Sequence, residues 1–314
     1  MSTHVVIGAG AVGRGLAREL AQMGHEVIVV TRSGSGGEGP NVTAVAADAT
    51  DAERLASIAQ GADAIYNCAN PQYHRWTTDW PPISQATIAA AEATRARLVI
   101  MSNLYAYPKG ASPMRATDPL DPPSVKGAVR AQMWHDALEA HRAGRIEAVE
   151  VRASDFFGPG IGTEGHLGDR ALKPALASKT VRMLGNPELA HSWTYIGDVH
   201  ATLAAAGTRE GVSGRAWMAP TLEPKSAAEM IAAICASAGV DTPAVRSIPR
   251  WAVKAVGVFS KPLGELMEVA YQFDAPFFVD SSDTTEALGL HPTPLADQVA
   301  ATIEDYRRGN SKAA

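Results

Sequence analysis

Short runs of apolar and β-branched residues alternate with longer helical patterns through the first half of the chain. That alternation predicts parallel β–α–β units. His4–Ile7 reads as a first strand and Val12–Met23 as a first helix, closed by Gly24 where a helix C′ glycine belongs. Glu26–Val30 and Val42–Ala46 read as the second and third strands. Thr50-Asp-Ala-Glu53 has the form of a capping box and predicts a helix to about Gln60. Ala64–Asn67 reads as strand four. Pro81-Pro82 suits a first helical turn, so a helix is expected from there through Ala96, followed by strand five at Leu98–Met101. A long helix is expected from Ser124 to Ala143, stopped at Gly144, with Val125, Val129, Met133 and Ala137 on its buried side. Ile146–Val151 reads as a sixth strand. Glycine and proline then punctuate Gly158–Gly168, and beyond them helices predominate with scattered short strands.

The turn after strand one changes this picture most. Gly8-Ala-Gly10-Ala-Val-Gly13 lies between a strand and a helix, the context in which a glycine series signals a dinucleotide site. Gly8 permits the tight turn, Gly10 lets backbone approach a pyrophosphate, and Gly13 allows close helix–strand packing. The helix N-terminus attracts the negative charge. NAD sites carry an acid roughly 20 residues further on, where it accepts from the ribose hydroxyls. Here that place reads Thr31-Arg32-Ser33. Arg32 can pair with a 2′-phosphate and Ser33 can donate to it, so NADP(H) is expected ahead of NAD(H). Asp48 could meet the adenine amino group or cap a turn.

The fold expected is a doubly wound α/β Rossmann sheet with a smaller, mostly helical C-terminal lobe. Residues 1–157 would form the dinucleotide-binding part, completed by parts of 193–218, and residues 158–314 mainly the substrate-binding lobe.

Composition narrows the classes without naming a reaction. At 314 residues, 46% hydrophobic and 19% charged, the chain is ordinary globular material. A formal charge of −5 gives no reason to expect nucleic acid or an anionic membrane as partner. Cys68 and Cys235 lie in apolar runs and read as core residues. No metal-ligand spacing and no Gly-x-Ser-x-Gly elbow occurs. With no leader pattern and no apolar run near the roughly 20 residues of a membrane span, a cytoplasmic location is expected.

The residues resemble the extended short-chain dehydrogenase/reductase superfamily, often labelled NAD-dependent epimerase/dehydratase. Met101-Ser-Asn-Leu-Tyr-Ala-Tyr107 is similar to its Ser-Ser-x-x-x-Tyr segment, and Arg152-Ala-Ser-Asp-Phe-Phe-Gly-Pro159 to its Arg-x-x-Asn-x-Tyr-Gly-Pro. Trp193-Thr-Tyr-Ile-Gly-Asp-Val199 is similar to its Phe-x-Tyr-Val-x-Asp-Val, and Asp48 fits its acid after strand three. The cofactor contacts implied are Gly8, Gly10, Ala11, Val12, Gly13, Arg32, Ser33, Asp48, Ala69, Ser102 and Ser154.

The resemblance also implies a Tyr-x-x-x-Lys on the helix after strand five, where tyrosine moves the substrate proton and lysine holds the nicotinamide ribose. The matching helix reads Lys126-Gly-Ala-Val-Arg130, which places the chain near the atypical branch. The literal Tyr105-x-x-x-Lys109 is discounted, because Pro108 disfavours a helix there. Lys126 is the candidate proton carrier, its pKa expected to be lowered by Arg130 one turn away. Arg130 is a candidate anchor, Asn103 the candidate carbonyl polariser, and Tyr105 or Tyr107 the missing phenol. Asp155 stands in for the family's asparagine and could orient substrate or act as a base. His166 and His191 are further substrate candidates, and His191 stands where sugar-nucleotide enzymes often carry an arginine.

The expected function is an NADP(H)-dependent reductase or dehydrogenase of a small carbonyl or alcohol. The alternatives are an epimerase or dehydratase with tightly held cofactor, or a non-catalytic NADP(H)-binding sensor. Relatives often dimerise through the helices flanking strand five, and the Ala-rich Ile88–Ala93 face permits a homodimer.

Overall fold

The computed structural model describes residues 1–163, 165–249 and 261–311. Strands β1 (Thr3–Ile7), β2 (Glu26–Thr31), β3 (Val42–Ala46), β4 (Ala64–Asn67), β5 (Arg97–Ser102) and β6 (Ala148–Arg152) all pair in parallel. Three short strands follow, β7 (Asp155–Phe157), β8 (Val181–Met183) and β9 (Trp193–Tyr195), and then β10 (Arg215–Met218) and β11 (Val245–Ser247). The main sheet has seven strands in the order β3-β2-β1-β4-β5-β6-β10, while β7 pairs with β9 and β8 with β11. The winding direction reverses between β1 and β4, and a crevice for ligands opens there, at the C-terminal ends of the strands.

Alternation along each strand sends successive side chains to opposite faces. Val6, Val29, Tyr66 and Val99 face one layer, where α1 (Ala11–Gln22) brings Leu16 and Leu20 and a later helix, Ile196–Thr208, brings Val199 and Leu203. Val5, Ile7, Ile65 and Leu98 face the other, covered by α2 (Ala52–Ile58), α3 (Trp76–Thr94) and α4 (Val125–Arg142) through Leu55, Trp80, Ile83, Met133 and Trp134. A separate core gathers Phe157, Leu172, Trp193, Met230, Ile231 and Ile303.

Three local expectations change. The cap of α2 is Asp51, whose side chain accepts from Arg54 N at 2.9 Å, so Thr50 and Glu53 do not form the box. Thr50 is drawn instead to Asp48. Helix α3 begins at Trp76, which leaves Pro81 and Pro82 inside it. Burial of Trp76 and Trp80, worth about 2–3 kcal/mol each, offsets the roughly 3 kcal/mol an interior proline costs. Helix α4 is rolled relative to its hydrophobic pattern. Val125 is exposed, and the buried side carries Lys126, Gly127, Arg130, Met133, Trp134 and Ala137. Gly127 drives the roll, because a Cβ there would lie 2.1 Å from the Tyr105 carbonyl oxygen. Among the described residues no helix is long and apolar enough to cross a membrane.

Candidate active site

The glycine turn joins the end of β1 to the start of α1. Gly8 has φ +103°, and a Cβ on it would meet the Cys68 carbonyl oxygen at 2.7 Å. A Cβ on Gly13 would lie 1.9 Å from the Gly8 carbonyl oxygen, so this glycine is what lets α1 settle on the strand. At Gly10 a Cβ would meet nothing within 4 Å. Gly10 is therefore a glycine that packing does not require, and it caps α1 without a side-chain cap hydrogen bond. Bare N–H groups with open space before them fit an anion such as a pyrophosphate.

A cleft runs from this loop across the ends of β4, β5 and β6. Gly10, Ala11, Val12, Cys68 and Ala69 line one end, and Ser102, Asn103, Tyr105, Ser154 and Asp155 lie further along. Tyr73, Trp76, Trp80 and Gln272 also line it, four residues that sequence reasoning missed. The 3–4 spacing of Tyr73, Trp76 and Trp80 was a readable helical stripe, whereas nothing local marks Gln272. Among the described residues Trp80 Nε1, Arg130 Nε and Ser154 Oγ are buried and find no hydrogen-bond partner, and all three residues line this cleft. Native interiors pair nearly all such groups, so unpaired ones gathered in one cleft fit a polar ligand.

Lys126 and Arg130 share the buried side of α4, yet only Arg130 is among the described lining residues. The Lys126 ammonium pairs with Glu265 and Glu268, and its backbone N–H donates to Glu268 at 2.9 Å. Burial disfavours its charge, but the two carboxylates outweigh that and raise its pKa. The expected lowering by Arg130 is thus reversed, because Lys126 has acids beside it that lie some 140 positions away in sequence. Arg130 stacks over Trp80 at 4.7 Å and Trp76 at 5.9 Å and donates to the Met101 carbonyl. Burial lowers its pKa to about 10, which leaves it charged at neutral pH.

Asn103 turns its side-chain oxygen to the Tyr105 backbone N–H at 3.1 Å. The Tyr105 and Tyr73 hydroxyls share a hydrogen bond at 2.7 Å, and burial raises the Tyr105 pKa well above its ordinary value. Lys109 follows Tyr105 in a loop. Tyr107 lies elsewhere: its hydroxyl donates to the Arg115 carbonyl and accepts from Arg152, beside the buried Arg152–Glu150 pair. It is not a described lining residue of the cleft.

Asp155 lines the cleft at the start of β7, and His191 donates from Nε2 to its Oδ2 at 2.7 Å. Burial would raise the Asp155 pKa, but the hydrogen bond from His191 and the electrostatic influence of the His191 and His166 rings hold it below the usual carboxylate range. His166 stacks on Phe273 at 4.2 Å, and burial lowers its pKa to about 4. At the opposite end, Arg32 and Ser33 are exposed after β2, and Ser33 Oγ lies 2.8 Å from Ser35 Oγ. Asp48 caps a turn, accepting from Thr50 N and Oγ1. Those bonds, with a smaller contribution from Arg32, lower its pKa. No cluster of metal-ligating side chains occurs among the described residues.

The fold has many solved counterparts. A UDP-glucuronic acid 4-epimerase from Bacillus cereus in complex with NAD superposes with TM-score 0.77 at 16% identity, over 98% of this chain and 99% of that one. A UDP-glucose 4-epimerase from Thermotoga maritima, with UDP-glucose, gives 0.78 at 18% over 98% and 99%. A dTDP-glucose 4,6-dehydratase from Streptomyces venezuelae, with NAD and TYD bound, gives 0.77 at 20% over 98% of each chain. At these identities the likeness carries the fold. No curated protein matches the sequence. The family model described as NAD dependent epimerase/dehydratase family matches residues 4–219, more than half of the chain, and bears out the resemblance read from the motifs. The chain belongs to that family.

Proposed function

We propose that this chain binds a nicotinamide dinucleotide along Gly8–Gly13 and works as an epimerase or dehydratase, taking a hydride from its substrate and returning it. The observation that carries the reading is Gly10, open to space at the N-terminus of α1 while its neighbours Gly8 and Gly13 are held by packing. Bound there, the nicotinamide supplies the hydride chemistry. The family assignment favours this outcome over net reduction of a small carbonyl or alcohol.

The chain's own residues supply position and protons. The α1 N-terminus and the Gly10–Val12 backbone hold the pyrophosphate, and Arg130 with Ser154 offers donors along the cleft. As the hydride leaves, the cleft-lining carboxylate of Asp155 takes the substrate hydroxyl's proton and gives it back when the hydride returns. Tyr105, whose phenol burial keeps protonated, donates a hydrogen bond to the same oxygen. Asn103 and Ser102 stand beside it to polarise the same oxygen.

On the choice of dinucleotide, relatives described above were solved with NAD. Thr31-Arg32-Ser33 here has no carboxylate for ribose hydroxyls and offers a cation, which supports NADP(H). Arg32→Ala then weakens NADP(H) binding far more than NAD(H) binding in calorimetric titration. Equal losses remove the preference.

One observation favours a second reading, a nicotinamide-binding protein without turnover: the residue in the catalytic tyrosine's place, Lys126, is occupied by two carboxylates. Deuterium placed on the reacting carbon of candidate substrates separates the two. Return of the label to product, with no net cofactor reduction, supports the epimerase or dehydratase. Tight binding with no label movement across the panel supports the second reading, and no dinucleotide binding at all sinks both.

A further inference from the structure

We propose that Asp155, fixed by His191, makes this cleft select substrates that present a hydrogen-bond donor, a hydroxyl or an ammonium, and reject substrates that present an anion. The inference rests on the proposed function and concerns the substrate end of the same cleft.

Placement comes first. The glycine loop lies at β1, and the adenosine end of a dinucleotide extends toward β2 and β3. The reactive end therefore lies toward β5 and β6, where Asp155 faces the cleft. His191 occupies Oδ2 at 2.7 Å, and among the described residues no donor reaches Oδ1. The adjacent Ser154 Oγ is buried and has no partner among the described residues, a second polar atom for a ligand in the same wall.

The carboxylate is also held rigidly. His191 is wedged among Trp193 at 4.5 Å and Phe273 and Phe277 at 5.3 Å each. Its backbone exchanges hydrogen bonds with Lys225 in both directions. His191 is thus a positioning residue that aims Asp155 and does not itself line the described cleft.

The one cation among the described lining residues, Arg130, is assigned to the dinucleotide, and the Lys126 ammonium is taken by Glu265 and Glu268, so neither is left to compensate an anion arriving at Asp155. A fixed carboxylate in a half-dry cleft repels a second anion and attracts a donor, and the effect grows as water leaves.

The test uses the protein loaded with dinucleotide and four probes: glucose, glucosamine, glucuronate and UDP-glucose. Dissociation constants are read from quenching of the reduced nicotinamide's fluorescence. Glucose and glucosamine are expected to bind roughly tenfold or more tightly than glucuronate and UDP-glucose. The glucose and glucosamine arms separate hydroxyl from ammonium recognition. Asp155→Asn, nearly isosteric, brings the four constants together. His191→Leu narrows the ratio, while His191→Gln, which keeps a donor, restores it, a pattern that a purely structural role would not produce. Dinucleotide binding by each variant reports its folding. Equal affinities, preference for an anionic probe, no binding of glucose or glucosamine, or a ratio untouched by Asp155→Asn overturns the proposal. Failure of the wild-type protein to bind dinucleotide overturns the proposed function instead.

Discussion

The Arg130 guanidinium lies 4.7 Å over the Trp80 ring on the cleft wall, and one of its amino groups donates to the Met101 carbonyl. Among the described residues no carboxylate pairs with it, so burial is set against stacking and a single main-chain acceptor. A buried charge held this way contributes little to stability compared with an apolar residue of similar volume. Arg130→Met is therefore expected to leave the melting temperature within a few degrees of wild type while weakening dinucleotide binding about tenfold or more. Thermal unfolding and titration on one preparation check both. A variant that melts far below wild type yet binds normally while folded would make Arg130 scaffolding.

Gly10 and Gly13 are expected to fail differently. At Gly10 a Cβ meets nothing within 4 Å, so Gly10→Ala keeps its fold and loses dinucleotide affinity. At Gly13 a Cβ would lie 1.9 Å from the Gly8 carbonyl oxygen, so Gly13→Ala destabilises by roughly 3 kcal/mol or more. Denaturant midpoints distinguish the two, and equal midpoints would mean that the loop shifts to accept either methyl.

Lys126→Met removes two ion pairs with glutamates that are 33% and 28% exposed. The expected cost is about 1–3 kcal/mol, between an exposed and a fully buried pair, with dinucleotide affinity unchanged. Loss of label return at full stability would restore Lys126 to the proton-carrying role.

Acid should unfold the protein through its histidines before its carboxylates. His4, His166 and His200 each have a pKa lowered from 6.5 to about 4, with burial the largest cause. Below 6.5 the unfolded chain binds protons that the folded chain refuses, so stability falls as pH drops from 6.5 to about 4. Denaturation at stepped pH reads the slope. His4 is 0% exposed, and His4→Gln, which keeps polar atoms beside Ser2 and Tyr66, should flatten it. An unchanged slope would remove His4 from the account.

Periodicity and turn chemistry carried most of the fold. Strands β1 to β6 fall within a residue or two of their apolar runs, because a buried parallel strand needs such a run and a helix needs its stripe. The exceptions were settled by packing. Two buried tryptophans start α3 ahead of its prolines, and Gly127 against Tyr105 rolls α4 until Val125 faces solvent.

By itself the sequence determined the glycine turn, since each glycine answers to atoms a few positions away or on the adjoining strand. It also placed Tyr105, Asn103, Ser154 and Asp155 at strand ends, where the cleft forms. Only the tertiary structure decided what those groups meet. Glu265 and Glu268 reach Lys126 from another part of the chain, and His191 reaches Asp155 across the β7–β9 pairing. Charge and hydrogen bonding act through space at a few ångströms. Residue spacing cannot report them when the chain leaves and returns between one partner and the other.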